Sequence, residues 1–478
     1  MRKQIMSALL LVTVLSAMEG TIVSTAIPRI TSDLSGIELV SWVYAVYLLA
    51  MAVTTPIYGK LADLFGRKKV ILTGVTLFLA GSALCGLSQS MEQLIIFRAI
   101  QGLGAGAVMP ITMTIIGDLY TENKERAKAQ GWISAVWGVS GVIGPLLGGF
   151  IVDNLTWHYI FFLNVPFGLL AIFMLAANYK EIVTKEKRHV DYQGAVTFSI
   201  ATIAVLYALL AGSMNQNWDD PMIIGLFFVA VLAYSGFVFI EKKSPDPLIP
   251  LNVFSNRGVL TVNILTLLVF AVVVCMTIYL PIWTQGVLGK SATQAGLVLM
   301  PLPVCWTIGA MAVGSFVGKV KENWIVTVGT AIVSVSSLIF FTLSDHSPDF
   351  IIYAASGLLG LGMGLMTPVF MLIIQSSVPS SKRGIAVATN SFTATFSQTL
   401  GSAVLGSIFN IITIAKAEKG GQDDLDLNAS FNHAELPAEK LSQLQDILAS
   451  GVHVIYGVML LLALLAFALS FLLRKSSE

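Results

Sequence analysis

The chain contains the stretch Gly102-Leu-Gly104-Ala-Gly106-Ala-Val-Met-Pro110 and, 258 residues later, the similar stretch Gly360-Leu-Gly362-Met-Gly364-Leu-Met-Thr-Pro368. Further pairs recur at offsets of 257 to 259, namely Gly144 with Gly401, Gly149 with Gly406, and Gly59-Lys60 with Gly318-Lys319. Isolated glycine matches mean little in membrane helices, where glycine is frequent. Because several matches share nearly the same offset, the sequence predicts an internal repeat.

The composition indicates that this repeat belongs to a membrane protein. Of the 478 residues, 55% are hydrophobic and 12% are charged, and the mean hydropathy is +0.81. A soluble domain typically carries about 25% charged residues. The composition therefore argues against a soluble enzyme or a disordered chain, and the net charge of +1 argues against a nucleic-acid binder. Three cysteines lie in apolar runs without metal-ligand spacing, and we interpret them as packed thiols: Cys85, Cys275 and Cys305.

Long apolar runs fill most of the chain. A membrane-spanning helix needs about 20 mostly apolar residues, whereas a β-barrel shows short segments of alternating polarity. The runs are too long and too uniform for a barrel, so we predict an all-α membrane protein with 14 spans. The predicted spans are 5–27, 39–58, 70–88, 93–115, 129–152, 158–178, 194–213, 221–240, 258–281, 296–317, 324–343, 351–375, 385–412 and 452–473.

The distribution of Lys and Arg sets the predicted orientation, because these residues are enriched in cytoplasmic loops. With the N-terminus in the cytoplasm, 22 of the 28 lie on the cytoplasmic side and 5 on the outer side. Arg98 lies within a span. We therefore expect both termini in the cytoplasm. A single missed helix would invert every later loop, so this asymmetry also supports the even span count.

The repeat pairs span 4 with span 12 and span 5 with span 13. Spans 1–6 would then recur as spans 9–14, with spans 7 and 8 inserted between them. Each half has an even number of spans, so the two repeats are parallel, as in a transporter whose substrate site lies near the middle of the membrane between the halves. The predicted division is a six-helix bundle at 1–180, two inserted helices with linkers at 181–257, and a second six-helix bundle at 258–478 with an outer loop at about 413–451.

Two charged residues stand inside apolar runs, Glu19 in span 1 and Arg98 in span 4. A charge at the centre of a membrane helix costs about 2.5–3.5 kcal/mol on insertion scales, so such residues are candidates for function. An apolar environment favours the protonated form of a carboxyl, which can then exchange protons near neutral pH or hold a cation. Glu19 is therefore the candidate for proton coupling and substrate binding, assisted by Arg98. The alternatives are a neutral Glu19 that bonds two helices and an Arg98 that reaches the membrane surface.

Two motifs contain glycine at defined spacings, one in the loop after span 2 and one in span 5. The loop after span 2 includes Gly59, Asp63, Gly66 and Arg67, where Gly66 permits a tight turn and the acid and base are four residues apart. Positive-inside topology alone would explain its basic residues but not the placed acid and glycine. In span 5, Gly144, Pro145, Gly148 and Gly149 combine a proline, which bends a helix, with glycines, which open a groove on its surface. Simple tight packing is the alternative.

Aromatic and amide side chains in the spans are candidates for a substrate-binding surface. Aromatic rings stack on cations, and amides in span 13 offer polar contacts. The candidates are Trp42, Tyr47, Trp137, Asn390 and Gln398. For the aromatic residues, packing or contact with lipid is the alternative.

These motifs together resemble the major facilitator superfamily, and within it the drug:proton antiporters with fourteen spans. Residues 59–69 are similar to the superfamily's loop motif, residues 98–104 to its span-4 motif, and residues 138–149 to its antiporter motif. The stretches Met18–Pro28 and Phe161–Pro166 resemble further family features. The resemblance covers essentially the whole chain.

The resemblance implies roles for particular residues. Glu19 would be the carboxylate shared by proton and substrate, and Arg98 would assist proton movement. Asp63 and Arg67 would form a cytoplasmic latch with Asp118 as a possible partner, and the span-5 glycines would shape the hinge. One departure is that the family usually has Asp where this chain has Glu19. Another is that residues 318–322 lack the full loop motif, so a second latch is not expected there.

The implied function is proton-coupled efflux of amphipathic compounds such as dyes, quaternary ammonium compounds and antibiotics. The proton gradient would supply the energy, and no cofactor, metal or ATP is expected because the sequence has no phosphate-binding loop. We expect a monomer in the cytoplasmic membrane and no enzymatic activity. The alternatives are a dedicated exporter of one metabolite or antibiotic and, as another class, a membrane sensor or scaffold.

Overall fold

The structure is a computed structural model of the 478-residue chain. It describes residues 2–120, 123–179, 181, 191–215, 217–244, 247, 254–316, 319–378, 383–419 and 438–476. These residues form 14 helical segments that are long and apolar enough to cross a membrane, in agreement with the predicted number. The middle of the predicted acidic outer loop, 420–437, and most of both linkers of the inserted helices lie outside the described residues.

Most of the spans are single helices, and three consist of two helices in succession. In chain order, spans 1 to 14 are Arg2–Leu34, Val40–Phe65, Arg67–Cys85, Met91–Ala105 with Val108–Leu119, Asn123–Asn154, His158–Phe162 with Asn164–Asn178, Tyr192–Asn215, Pro221–Lys243, Arg257–Ile282, Ala292–Leu299 with Pro301–Phe316, Glu322–Phe341, Asp349–Ser376, Arg383–Lys419 and Ala438–Ser470. A π-helical turn, Trp283–Val287, extends span 9.

Proline accounts for the breaks in spans 4, 6 and 10. A proline ring clashes with the carbonyl four residues earlier and removes one backbone donor. The first helix of each broken span ends at or next to that carbonyl, at Ala105 before Pro110, at Phe162 before Pro166 and at Leu299 before Pro303. Span 5, by contrast, continues as one helix through Pro145.

Span 4 packs closely on its neighbours through the glycines of the repeated stretch. A Cβ at Gly102 would fall on the carbonyl oxygen of Tyr47 in span 2. A Cβ at Gly104 would fall on the backbone of Phe78 in span 3. Glycine is therefore required where three helix backbones meet.

Span 12 uses the second copy of the stretch in the same way. A Cβ at Gly360 would fall on the carbonyl of Leu302 in span 10, and one at Gly362 would approach the carbonyl of Gly329 in span 11 to 2.7 Å. Span 12 therefore contacts spans 10 and 11 as span 4 contacts spans 2 and 3. This equivalence is what a parallel internal repeat requires.

The inserted spans 7 and 8 lie over the seam between span 2 and span 13. Span 7 packs against span 8 and along span 13, and it also reaches span 2. The hydroxyl of Ser407 in span 13 donates to the carbonyl of Leu209 in span 7 at 2.8 Å. An apolar cluster joins the four helices and includes Ala45, Leu49, Phe198, Leu206, Phe237 and Ala403. The insertion therefore covers a contact between the two predicted halves.

Enlarging Gly148 to leucine is expected to destabilise the protein. A Cβ at Gly148 would lie 2.7 Å from the carbonyl oxygen of Ile22 in span 1, so the two helices would have to separate. Overpacking of this kind typically costs about 1–3 kcal/mol. Thermal unfolding of the detergent-solubilised protein would show it as a lower Tm. Gly225→Leu in span 8 is the control, because a Cβ there meets no described atom within 4 Å. Equal Tm values for the two variants would contradict this packing.

Candidate site in the transmembrane core

The two intramembrane charges predicted as proton-coupling residues form an ion pair. Arg98 Nη1 lies 2.5 Å from Glu19 Oε1, although 79 residues separate the two in sequence. Their side chains are only 0% and 1% exposed, respectively. Helix packing brings spans 1 and 4 to this point, so the pair is a product of the tertiary fold.

Further polar groups hold both members of the pair. The amide of Asn164 in span 6 donates to Glu19 Oε2 at 2.9 Å. Arg98 Nη1 also donates to Gln101 Oε1 at 2.9 Å, and Arg98 Nε donates to the carbonyl of Val43 at 3.1 Å. A buried ion pair is stabilised when its remaining donors and acceptors are also bonded. Two buried donors of this network, Arg98 Nη2 and Gln101 Nε2, have no hydrogen-bond partner among the described residues. The site has donors on both oxygens of the carboxylate.

Asn164 is itself oriented by span 3. Its Nδ2 atom donates to the hydroxyl of Ser82 at 2.9 Å, and that hydroxyl donates to the carbonyl of Phe161 at 2.9 Å. The break in span 6 falls at Leu163, directly before Asn164. Sequence analysis missed Asn164 and Ser82 as site residues, although a polar Asn164 within an apolar run was an available signal.

Tyr47 of span 2 completes the site. Its ring lies beneath the Arg98 guanidinium, with 4.1 Å between Arg98 Cζ and the ring centroid. Tyr47 is 4% exposed. A cation over an aromatic face is stabilised most when both are desolvated, so Tyr47 supports the charge of Arg98 inside the membrane. Spans 1, 4 and 6 thus meet at the carboxylate, and spans 2 and 3 hold Arg98 and Asn164 in place.

The geometry links protonation of Glu19 to a change in its hydrogen bonds. Arg98 and Asn164 both donate to the carboxylate, one to each oxygen. A proton on either oxygen would remove the negative charge that attracts Arg98 and leave fewer acceptor positions for the two donors. A cationic ligand would compete with Arg98 for the same negative charge. Binding of either a proton or a cation to Glu19 would therefore weaken its contact with Arg98.

The structure does not gather the other predicted drug-binding residues around Glu19. Trp42 packs edge-to-face on Tyr207 of inserted span 7, with ring centroids 6.5 Å apart. Asn390 is buried and donates to Thr266 of span 9 at 2.8 Å. Trp137 is 43% exposed, and Gln398 is half-buried on span 13. Their role in substrate binding stays a prediction.

The predicted cytoplasmic latch contains a close ion pair. Arg67 Nη1 lies 2.6 Å from Asp118 Oδ2 at the end of span 4. Gly66, with φ of +92°, provides the turn that places Arg67 at the start of span 3. A Cβ at Gly59 meets no described atom within 4 Å, and the side chain of Asp63 lies outside the described residues.

Glu181 also belongs to this region and was missed by sequence analysis. Its two carboxylate oxygens accept the backbone N–H groups of Arg67 at 2.6 Å and Lys68 at 2.9 Å. A carboxylate at a helix N-terminus satisfies free backbone donors and complements the helix dipole. Glu181 therefore ties the start of span 3 to the segment that follows span 6.

Arg67→Ala is expected to slow transport several-fold with little loss of stability. The Arg67 and Asp118 side chains are 27% and 38% exposed, and ion pairs near the surface contribute about 0–1 kcal/mol to folding. The pair can nevertheless bias two conformations, because about 1.4 kcal/mol changes a population ratio tenfold. The measurement compares initial transport rates and Tm values. Lys69→Ala, a neighbouring exposed cation, is the control, and an unchanged rate in Arg67→Ala would exclude the latch role.

The predicted hinge residues of span 5 lie between two other spans. A Cβ at Gly144 would fall on Thr21 of span 1, and one at Gly148 would fall on Thr25. A Cβ at Gly149 would come within 2.6 Å of the carbonyl of Ala292, at the start of span 10. The motif therefore lets span 5 approach both span 1 and a helix of the second half. Its role as a hinge stays a prediction.

An all-helical membrane protein with a carboxylate and a guanidinium buried between its spans has features expected of a secondary transporter. Residues 9–402 match the family model described as Major Facilitator Superfamily. The chain belongs to this superfamily and is a multi-pass membrane transporter of small substrates.

Two bacterial proteins with names that refer to multidrug resistance or transport are similar to this chain in sequence. The chain is 37% identical over 406 residues to "Multidrug resistance protein 3" of Bacillus subtilis (strain 168), which covers 85% of this chain and 79% of the relative. It is 34% identical over 409 residues to "Multidrug transporter protein MdtP" of the same organism, covering 86% and 75%.

Solved structures share the fold. A bacterial homologue of the human lysosomal transporter Spinster, in an inward-facing and unoccupied conformation, aligns with a TM-score of 0.73. The alignment covers 99% of this chain and 97% of that chain at 15% identity. A D-xylose-proton symporter aligns with a TM-score of 0.63 at 15% identity, covering 97% and 96%. At these identities the similarity shows the fold alone.

Proposed function

We propose that the protein exports amphipathic drugs and toxic compounds in exchange for protons by alternating access. The observation that carries the proposal is the buried Glu19–Arg98 pair with Asn164 on the second carboxylate oxygen. A carboxylate of this kind deep in a membrane protein is expensive to maintain without a function. The names of the relatives, which refer to multidrug resistance and transport, support drugs as the substrate class.

In the proposed cycle, Glu19 binds either a proton or a cationic substrate, but not both. Protonation from the outer side releases Arg98 or Asn164 from the carboxylate and discharges the drug. Proton loss to the cytoplasm restores the charge that attracts the next cation. Rocking of spans 1–6 against spans 9–14 would expose Glu19 to each side in turn.

The proton gradient is the proposed energy source. Exchange of one proton for one monovalent cation moves no net charge, so the pH gradient supplies the energy for such a substrate. Exchange of one proton for a neutral substrate moves one net charge and gains about 2.3 kcal/mol per 100 mV of membrane potential as well. The proposal needs no cofactor and no ATP. In this proposal the protein is a monomer in the cytoplasmic membrane. Both termini lie in the cytoplasm, an orientation that the basic residues of the loops support.

Proteoliposomes with an imposed pH gradient test the proposal. Ethidium, an amphipathic cation, is added outside, and a trapped dye reports the internal pH. The expected result is ethidium-triggered proton movement that exceeds the signal from protein-free liposomes. A panel of dyes, quaternary ammonium compounds and zwitterionic antibiotics then defines the substrate range. A response to one compound would favour a dedicated exporter, and no response to any would overturn drug:proton exchange.

A further inference from the structure

The outer ends of span 5 and span 10 are joined by a carboxylate. Asp153, at the outer end of span 5, accepts the backbone N–H of Ala292 at 3.1 Å and that of Thr293 at 2.8 Å. The hydroxyl of Thr293 donates to the same carboxylate. Asp153 and these partners are 139 and 140 residues apart, so the contact joins the two predicted halves.

The contact completes the hydrogen bonding at the N-terminus of the first helix of span 10, Ala292–Leu299. The first N–H groups of a helix have no partner within the helix. Ser291 accepts the N–H of Gln294 through its own side chain, in a capping box. The N–H groups of Ala292 and Thr293 are satisfied by Asp153 instead. Span 10 therefore takes part of its own N-terminal cap from the other half of the protein.

Close backbone packing surrounds this carboxylate. A Cβ at Gly149 would lie 2.6 Å from the Ala292 carbonyl oxygen, and a Cβ at Gly296 would fall on the carbonyl of Pro145. The span-5 glycines thus allow the approach that puts Asp153 within hydrogen-bond distance of span 10. A negative charge at this position also complements the partial positive charge of the helix N-terminus.

Other contacts between the halves lie on the same side of the membrane. The side-chain amide of Asn410, in span 13, donates to the carbonyl of Glu38 at 3.0 Å, just before span 2 begins. The amide of Gln285 donates to the carbonyl of Thr25 in span 1 at 3.2 Å. These bonds use neutral amides, whereas Asp153 brings a full charge and bonds to two backbone donors and a hydroxyl.

We propose that Asp153 is a gating residue that holds the outer side of the transporter closed by capping span 10 across the interface between the halves. Opening the outer side separates span 5 from span 10 and leaves the N–H groups of Ala292 and Thr293 to water. The carboxylate therefore stabilises the outer-closed state and not the outer-open one. This inference rests on the alternating access of the proposed function, but it does not depend on which substrate or ion is coupled.

Distances between spin labels on the two halves test the inference. Labels are placed at Leu155, after span 5, and at Phe350, at the start of span 12, both of which are exposed. The native cysteines are replaced by alanine in this background. Pulsed electron paramagnetic resonance then gives the ratio of long to short distances in nanodiscs. Asp153→Asn and Asp153→Ala are expected to raise that ratio about tenfold, the effect of losing one hydrogen bond to a charged group.

Asp446→Asn is the matched control. Asp446 is an outer acid of span 14 that pairs with Lys416 of span 13 at 2.7 Å, so this bond lies within one half. A twofold or larger rise in the ratio confined to the Asp153 variants supports the gate. A smaller change, or an equal rise in Asp446→Asn, overturns it. The readout needs no proton or drug movement, so a failure of drug:proton exchange in liposomes would leave this result interpretable.

If Asp153→Ala fails to fold, the test relies on Asp153→Asn, which keeps the size of the side chain and one acceptor oxygen. Thr293→Val provides a second route, because it removes the hydroxyl donor while span 10 keeps its own capping box. Its expected rise is smaller than that of either Asp153 variant. A rise in Thr293→Val without one in Asp153→Asn would also contradict the role of the carboxylate.

Discussion

Glu19→Gln is expected to abolish drug-triggered proton movement in liposomes, down to the signal from protein-free vesicles. Glutamine has nearly the same size and can still accept a hydrogen bond from Arg98. It cannot bind and release a proton near neutral pH, and it offers no charge to a cationic substrate. The physical reason for the large effect is that this side chain is proposed to carry both ligands. The measurement is the internal-pH assay with ethidium described above.

Glu92→Gln is the control for this prediction. It makes the same chemical change on an exposed residue in the first turn of span 4. Glu19→Asp adds a graded test, because it keeps the charge but shortens the side chain and lengthens the contacts to Arg98 and Asn164. We expect reduced but measurable exchange from Glu19→Asp. If Glu19→Gln moves protons as fast as the unsubstituted protein, the coupling group is another residue.

Arg98→Met is expected to lower the stability more than Gly148→Leu, Arg67→Ala or Arg29→Met. It removes the guanidinium but leaves the Glu19 carboxylate buried at 1% exposure, with the amide of Asn164 still on one of its oxygens. Breaking a buried ion pair by removing one partner typically costs about 3–5 kcal/mol. Both side chains are closed off from solvent in this conformation, so water does not replace the lost partner there. Thermal unfolding in detergent would report the change as a lower Tm.

The double variant Arg98→Met with Glu19→Gln separates the cost of an unpaired charge from the loss of packing. Removing both charges leaves no isolated ion, so the double variant is expected to be more stable than Arg98→Met alone. Arg29→Met is the surface control, since Arg29 pairs with Asp33 at 3.4 Å and its side chain is 52% exposed. We expect that variant to stay within about 1 kcal/mol of the unsubstituted protein. A double variant as unstable as Arg98→Met would show that the charge is not the cause.

Several features of the protein follow from local sequence properties. The 14 spans were predictable because a helix in lipid must satisfy its own backbone and present an apolar surface, which leaves a long hydrophobic run in the sequence. Glu19 and Arg98 were identifiable as candidates for function because charges are rare in such runs. The pairing of Arg67 with Asp118 was anticipated only through the resemblance to a known family.

The tertiary structure decided which side chains meet. The sequence of one helix shows that a face is apolar or is made of small residues, but it does not show which other helix that face contacts. Asn164 reaches Glu19 from 145 residues away, and nothing in the local sequence of either span specifies the other. Asp153 and Glu181 look like ordinary loop acids in the sequence, yet each caps a helix supplied by a distant segment. The reason is physical: hydropathy is a property of single segments, whereas a hydrogen-bonded site in a membrane core depends on the packing of several helices at once.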